Sequence, residues 1–266
     1  MLIPGLKNII QLSCGSNHVL ALDKSGSAYT WGTGQNYQLG RRLTERHKAT
    51  ALQPHQFGQF KGKLRYIATG ADHSFAIDKN DNVWSWGVNN YGATGITESA
   101  GEDNAAIVRP TKVVSLCKRS IRTLKGGAHH TVAVTEGGEC LVWGRLDGNQ
   151  CGMQLDKLPV DDEVVKRGEA KAGSDKPGPP KILLQPTQAP GVPKATMAAA
   201  GSDHSIAITE SGKAYSWGFN VNYQTGLGET EDDIEVPTLV ENTAVKDKKL
   251  VWAGCGGQFS VFASVA

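Results

Sequence analysis

A nineteen-residue pattern occurs four times in this chain, and it constrains the fold more than any other feature. The copies are "CGSNHVLALDKSGSAYTWG" from Cys14, "TGADHSFAIDKNDNVWSWG" from Thr69, "GGAHHTVAVTEGGECLVWG" from Gly126 and "AGSDHSIAITESGKAYSWG" from Ala200. A fifth, "CGGQFSVFASVA", opens at Cys255. The second glycine of each copy falls at Gly15, Gly70, Gly127, Gly201 and Gly256, at intervals of 55, 57, 74 and 55 residues. Self-similarity at such a period is the mark of a repeat architecture.

Within each copy the residues after the histidine alternate small and apolar, as in His18-Val19-Leu20-Ala21-Leu22, which is a strand pattern. A turn-forming group follows, such as Asp23-Lys24-Ser25-Gly26 or Thr135-Glu136-Gly137-Gly138. An aromatic strand closes the unit, as in Val83-Trp84-Ser85-Trp86, and together these predict a β-hairpin. After each hairpin comes one loop pattern, "GTGQNYQLG", "GVNNYGATG", "GRLDGNQCG" and "GFNVNYQTG", then a strand carrying a proline, as in "RPTKVVSL" or "VPTLVEN". A last strand, such as "LRYIATG", leads into the next glycine.

Four short strands per period predict an all-β protein, a β-propeller of four-stranded blades. Helical repeats are disfavoured, because the glycines would interrupt them. The repeats run over about 8–66, 67–124, 125–197 and 198–252, with a partial copy over 253–266. The longer third period contains an insertion over 153–181, expected to be loosely held as far as Pro177-Gly178-Pro179-Pro180, after which "KILLQPT" regains a strand pattern. Four blades and part of a fifth leave the array open, so it reads as a portion of a larger protein.

Composition adds exclusions. With 28 Lys+Arg against 26 Asp+Glu in 266 residues, the overall charge points to neither nucleic acid nor membrane. No apolar run approaches a membrane span, and no signal-like segment follows Met1, so a reducing compartment is expected. Cys14, Cys117, Cys140, Cys151 and Cys255 are odd in number and lack zinc-ligand spacing, so free thiols are expected and neither metal nor cofactor is implied.

These motifs, Gly-x-x-His followed by Gly-x-[Ala/Val/Leu]-x-x-Trp-Gly and the Asn-Tyr-x-x-Gly loop, closely resemble the repeat of the regulator of chromosome condensation family, over nearly the whole chain. The doubled histidine in "GGAHH" resembles the founding type, and the insertion resembles that of fungal members. The resemblance implies a seven-bladed propeller in the nucleus that promotes nucleotide exchange on the GTPase Ran through one face and binds chromatin through the other. No ubiquitin-ligase domain is appended, and Trp31, Trp86, Trp143 and Trp217 sit at the repeat position that packs a blade, not in a photosensory cluster.

The histidine three places after the second glycine recurs as His18, His73, His130 and His204, which suits a buried structural role in every blade. One place earlier the copies diverge: Asn17, Asp72, His129, Asp203 and Gln258. These five are expected to form an arc at one end of the central channel, and the resemblance implies that this end binds the GTPase. His129 aligns there with a histidine implicated in exchange, and Asn17 with an acidic residue, whose charge it lacks; Phe259 stands where the founding type has histidine. Exchange needs no nucleophile: a protein that prefers the nucleotide-free GTPase must weaken nucleotide binding by the same factor. His129 is then a contact residue, not a general base.

Basic residues cluster in two stretches. Arg41 to Arg65 holds seven against one glutamate, and Thr111 to Lys125 holds five against none. Such asymmetry suits an acidic partner, DNA phosphate or a histone surface. By resemblance, Lys61, Lys63 and Arg65 lie where a basic loop contacts the nucleosome. The acidic run "GLGETEDDIE" lacks calcium-loop spacing and reads as a solvated loop. The competing expectation is a non-catalytic propeller scaffold for another protein partner; hydrolytic chemistry is disfavoured, since the histidines recur with the blades and lack a partnered nucleophile.

Overall fold

Each copy of the repeat folds as an antiparallel meander. In the computed structural model, which describes residues 3–43, 49–60, 62–171, 176–228 and 231–265, the first sheet comprises β1 (Ile9–Cys14), β2 (His18–Asp23), β3 (Ala28–Gly32) and the two-residue β4 (His55–Gln56). The second holds β5 (Leu64–Thr69), β6 (His73–Asp78), β7 (Val83–Val88) and β8 (Ala106–Lys112). The third is built from β9 (Ile121–Gly126), β10 (His130–Thr135), β11 (Cys140–Arg145), β12 (Val165–Arg167) and β13 (Pro180–Gln188), in the spatial order β12-β13-β11-β10-β9. The fourth contains β14 (Ala195–Ala200), β15 (His204–Thr209), β16 (Ala214–Gly218) and β17 (Ile234–Leu239), and the last is the pair β18 (Leu250–Cys255) and β19 (Ser260–Ser264). The protein is an all-β propeller array, and no helix of the described residues is long and apolar enough to cross a membrane.

Two expectations need correction. The insertion is not uniformly loose: Val165–Arg167 pairs with β13, so the third blade has five strands instead of four. Val165 is fully buried, with Val164, Leu155 and Leu158 packed against the same core, and this apolar contact holds the segment down. In the first blade the fourth strand shrinks to His55–Gln56, both exposed. Residues 172–175 lie outside the described set.

The core is a series of blade-to-blade interfaces. Leu20, Leu22 and Ala28 of the first blade pack with Ile67, Ala76 and Trp86 of the second, and Phe75, Ile77 and Val83 of the second pack with Leu124, Leu141 and Trp143 of the third. Trp217 fills the same place one blade on. Each buried indole removes roughly 200 Å² from water, worth on the order of 5 kcal/mol at about 25 cal/mol per Å².

A polar relay crosses each junction beside this apolar packing. The Nε2 atoms of His18, His73, His130 and His204 lie 2.8, 3.1, 2.8 and 3.0 Å from the hydroxyls of Ser74, Thr131, Ser205 and Ser260 on the next blade. Those hydroxyls donate to the carbonyls of Gln38, Ala93, Gln150 and Gln224. A hydroxyl that donates to a carbonyl must accept from the imidazole, so each histidine carries its proton on Nε2. Trp86, Trp143 and Trp217 donate to the first three of the same carbonyls. Burial holds His18 and His204 down at about 4 and His73 and His130 at about 3. The recurring histidines are neutral blade staples.

Glycine precedes each staple because nothing larger fits. A Cβ on Gly127 would sit 2.2 Å from Cε1 of His130 and 2.5 Å from the carbonyl oxygen of Gly201. The blades approach each other through that gap.

Candidate functional site

The five variable positions lie at the ends of the inner strands, around an opening lined by Gly15, Gly70, Gly127, Gly201 and Gly256. Asn17 and Gln258 are exposed, whereas Asp72, His129 and Asp203 are half-buried. Their backbone is fixed from behind by the Trp-Gly step. Gly144 has φ 112° and would place a Cβ 2.5 Å from the carbonyl oxygen of His129, while the next residue, Arg145, donates its backbone N–H to that oxygen at 2.9 Å. Thr33, Val88 and Phe219 donate in the same way to Asn17, Asp72 and Asp203. The arc is therefore set by backbone geometry, with its side chains free to differ.

The side chains are positioned by the loop of the preceding blade. Gln38 accepts the backbone N–H of Asn36 at 2.9 Å and directs its amide nitrogen toward Asp72 at 3.4 Å. Gln150 repeats the arrangement with Gly148 at 2.9 Å and Asp203 at 3.5 Å. The second blade departs from this: Ala93 replaces the glutamine, and Tyr91 comes forward to pack on His129, ring centroids 4.7 Å apart at 47°. Arg145 also lies over that tyrosine, 5.0 Å from the ring centre, and is held by Asp147.

Burial lowers the affinity of His129 for a proton, and the nearby Arg145 adds to this, against the opposing pull of Asp203, Asp72 and Asp147. His129 is thus a predominantly uncharged, accessible imidazole between two carboxylates. Among the described residues neither Asp72 nor Asp203 is ion-paired, and no group of three or more His, Cys, Asp or Glu side chains is placed to hold a metal. The arrangement suits recognition of a polar partner surface.

The basic candidates lie elsewhere. Arg65 stands at the start of β5 and Asp72 follows its end, so the two are separated by a strand length of roughly 20 Å. Arg65 is engaged internally, donating to Asp81 at 2.7 and 2.9 Å and to the carbonyl of Ile121 at 2.8 Å. Lys63 is exposed beside it, and Lys61 lies outside the described residues. Sequence reasoning located the arc but missed Tyr91, Arg145 and the two glutamines; the substitution of Ala93 for glutamine was the available signal.

Comparison with known proteins places this geometry among relatives. The model of the RCC1-like domain matches residues 1–262. Guanine nucleotide exchange factor SRM1 of Saccharomyces cerevisiae is 40% identical over 97% of this chain and 51% of its own length. Protein pim1 of Schizosaccharomyces pombe is 39% identical over 98% of this chain and 46% of its own. The crystal structure of Prp20p from Saccharomyces cerevisiae, described with its binding properties to Gsp1p and histones, superposes with a TM-score of 0.88 at 38% identity, over 99% of this chain and 58% of that one. The chain spans about half the length of the curated relatives it matches.

Proposed function

The chain belongs to the RCC1-like domain family, and from that premise we propose that it takes part in guanine-nucleotide exchange on a Ran-type GTPase, with the His129 end of the propeller as the GTPase face and the opposite end turned to chromatin in the nucleus. The observation that carries the reading is His129 itself. It is the only one of the five arc positions with an imidazole, adjoins the structural His130 in sequence, and is presented between Asp72 and Asp203 on a backbone held by Gly144 and Arg145. The exchange activity named for SRM1 and the Gsp1p and histone binding described for Prp20p support the same assignment.

Exchange on this reading is a binding process. Contacts from Asn17, Asp72, His129, Asp203 and Gln258 to the GTPase are stronger when its nucleotide has left, and linkage then loosens the nucleotide by the same factor. A ten-thousand-fold loosening corresponds to about 5.5 kcal/mol of differential affinity. The nucleotide and its magnesium belong to the partner. Lys63, with Lys61 and Arg65 nearby in sequence, supplies positive charge for histone or DNA phosphate at the other end.

Release of labelled GDP from Ran tests the assignment. His129→Ala is expected to slow release at least tenfold with an unchanged thermal melt, whereas His130→Ala mainly lowers the melt. Release at the unaltered rate with His129→Ala would remove His129 from the GTPase face.

A further inference from the structure

The blade 2–3 junction is built differently from its neighbours, and the difference converges on one side chain. At the junctions on either side a buried glutamine, Gln38 or Gln150, reaches the arc carboxylate of the next blade. At this junction the glutamine is Ala93, the arc residue is His129, and Tyr91 occupies the space between the loop and the imidazole. Arg145 closes the assembly. Its backbone N–H binds the carbonyl of His129, its guanidinium covers Tyr91, and Asp147 anchors the guanidinium through Nη2 at 3.0 Å.

We propose that Tyr91 and Arg145 are positioning residues for His129: the arginine, tethered by Asp147, stacks on the tyrosine, and the tyrosine props the imidazole toward the partner. The inference rests on the reading of His129 as a GTPase contact. A side chain at the rim of an open channel loses rotamer freedom on binding, and a prop on one face removes part of that loss beforehand. The same clamp also biases the protonation of His129. The charged and titratable groups facing it are Arg145 at the end of β11, Asp147 from the loop after it, Tyr91 from the loop after β7, Asp72 before β6, Asp203 before β15, and the neutral staples His73 and His130. Arg145 is the one cation among those named, so it opposes protonation.

Two readouts test this in the whole protein. The first needs no GTPase: the imidazole C–H resonance of His129 is titrated in the parent and in Arg145→Gln, where its midpoint is expected to move to higher pH. The second is GDP release from Ran with Tyr91→Phe, Tyr91→Ala, His129→Ala and the Tyr91→Ala/His129→Ala pair. Tyr91→Phe keeps the ring and should retain at least half the parent rate. Tyr91→Ala should fall about as far as His129→Ala, and the double variant no further, because residues acting as a unit are non-additive. In Arg145→Gln the acid limb of the release profile should shift upward with the His129 midpoint. An unmoved His129 titration in Arg145→Gln, or losses that multiply in the double variant, would overturn the proposal. If the intact protein leaves GDP release at its spontaneous rate, the GTPase reading falls, and the His129 titration alone decides whether the clamp positions it.

Discussion

Lowering the pH from 7.5 to 5.5 should destabilise this protein through its buried staples. His18, His73, His130 and His204 have folded-state values of about 4, 3, 3 and 4, against 6.5 for an exposed imidazole. Between those limits the unfolded chain binds protons that the folded chain refuses, so stability is fully present above pH 6.5 and declines as the pH falls through this window. One unit below the unfolded value, each histidine contributes a loss of about 1.3 kcal/mol, and the four together about 5 kcal/mol. For a chain of this length that is a fall in Tm of about 10 °C. The carboxylates do not interfere. Hydrogen bonds from Ser25, Ser27 and Tyr29 outweigh burial and hold Asp23 below its ordinary range, and bonds from Asn82 and Trp84 do the same for Asp78; their losses come at still lower pH. His55 and His129 shift in the same sense as the staples, so the assignment is made by substitution. Thermal melts of the parent and of His130→Asn at both pH values separate the contributions: the variant is less stable at pH 7.5 but loses about a quarter less on acidification. Identical parent melts at pH 7.5 and 5.5, or staple imidazole resonances that titrate near 6.5 in the folded protein, would refute the reasoning.

Two further outcomes follow from the backbone and the insertion. Gly144→Ala forces a Cβ to within 2.5 Å of the His129 carbonyl at φ 112°, and should lower stability by roughly 2–3 kcal/mol in denaturant melts while displacing the His129 resonance. Val165→Asp buries a charge in the third blade and should release β12, seen as loss of amide protection from Val164 to Arg167 and destabilisation of about 3 kcal/mol, with GDP release from Ran unaffected because the arc lies on other elements.

Much of the fold was legible because blade formation is local. The turn residues Asp23 to Gly26 and the strand alternation around them specify a hairpin with no reference to the rest of the chain, and four hairpins of one kind dictate stacking. The histidine staple was legible as a recurrence, although its partner was not: the hydroxyl lies one place after the histidine of the following copy, a relation visible only once the blades are side by side. Strand β12 was hidden because Val164 and Val165 stand as a lone apolar pair between the charged runs Asp161-Asp162-Glu163 and Lys166-Arg167, and two valines carry no period. The arc was found from variation at a fixed place in the repeat. Its supports were not, since Tyr91 reaches His129 across 38 residues of sequence.

The repeat divides its labour between adjacent positions. The residue three places after the second glycine is committed to the next blade by a hydrogen bond and by a gap too narrow for any Cβ, so a change there is felt as lost stability. The residue two places after it contributes only its carbonyl to the framework, through the bond from the residue beyond the Trp-Gly step. Its side chain can therefore become asparagine, aspartate, histidine or glutamine without disturbing the stack. The adjacent pair His129 and His130 shows both roles in one dipeptide. A side chain released from the framework still has to be oriented, and the loop of the preceding blade supplies that, with a glutamine for each carboxylate and with Tyr91 for the imidazole, the tyrosine being backed by Arg145 from the blade of His129 itself. Function in this array is specified by pairs of positions on neighbouring blades, the arc residue and the loop residue behind it, and a substitution at one is expected to require its counterpart at the other.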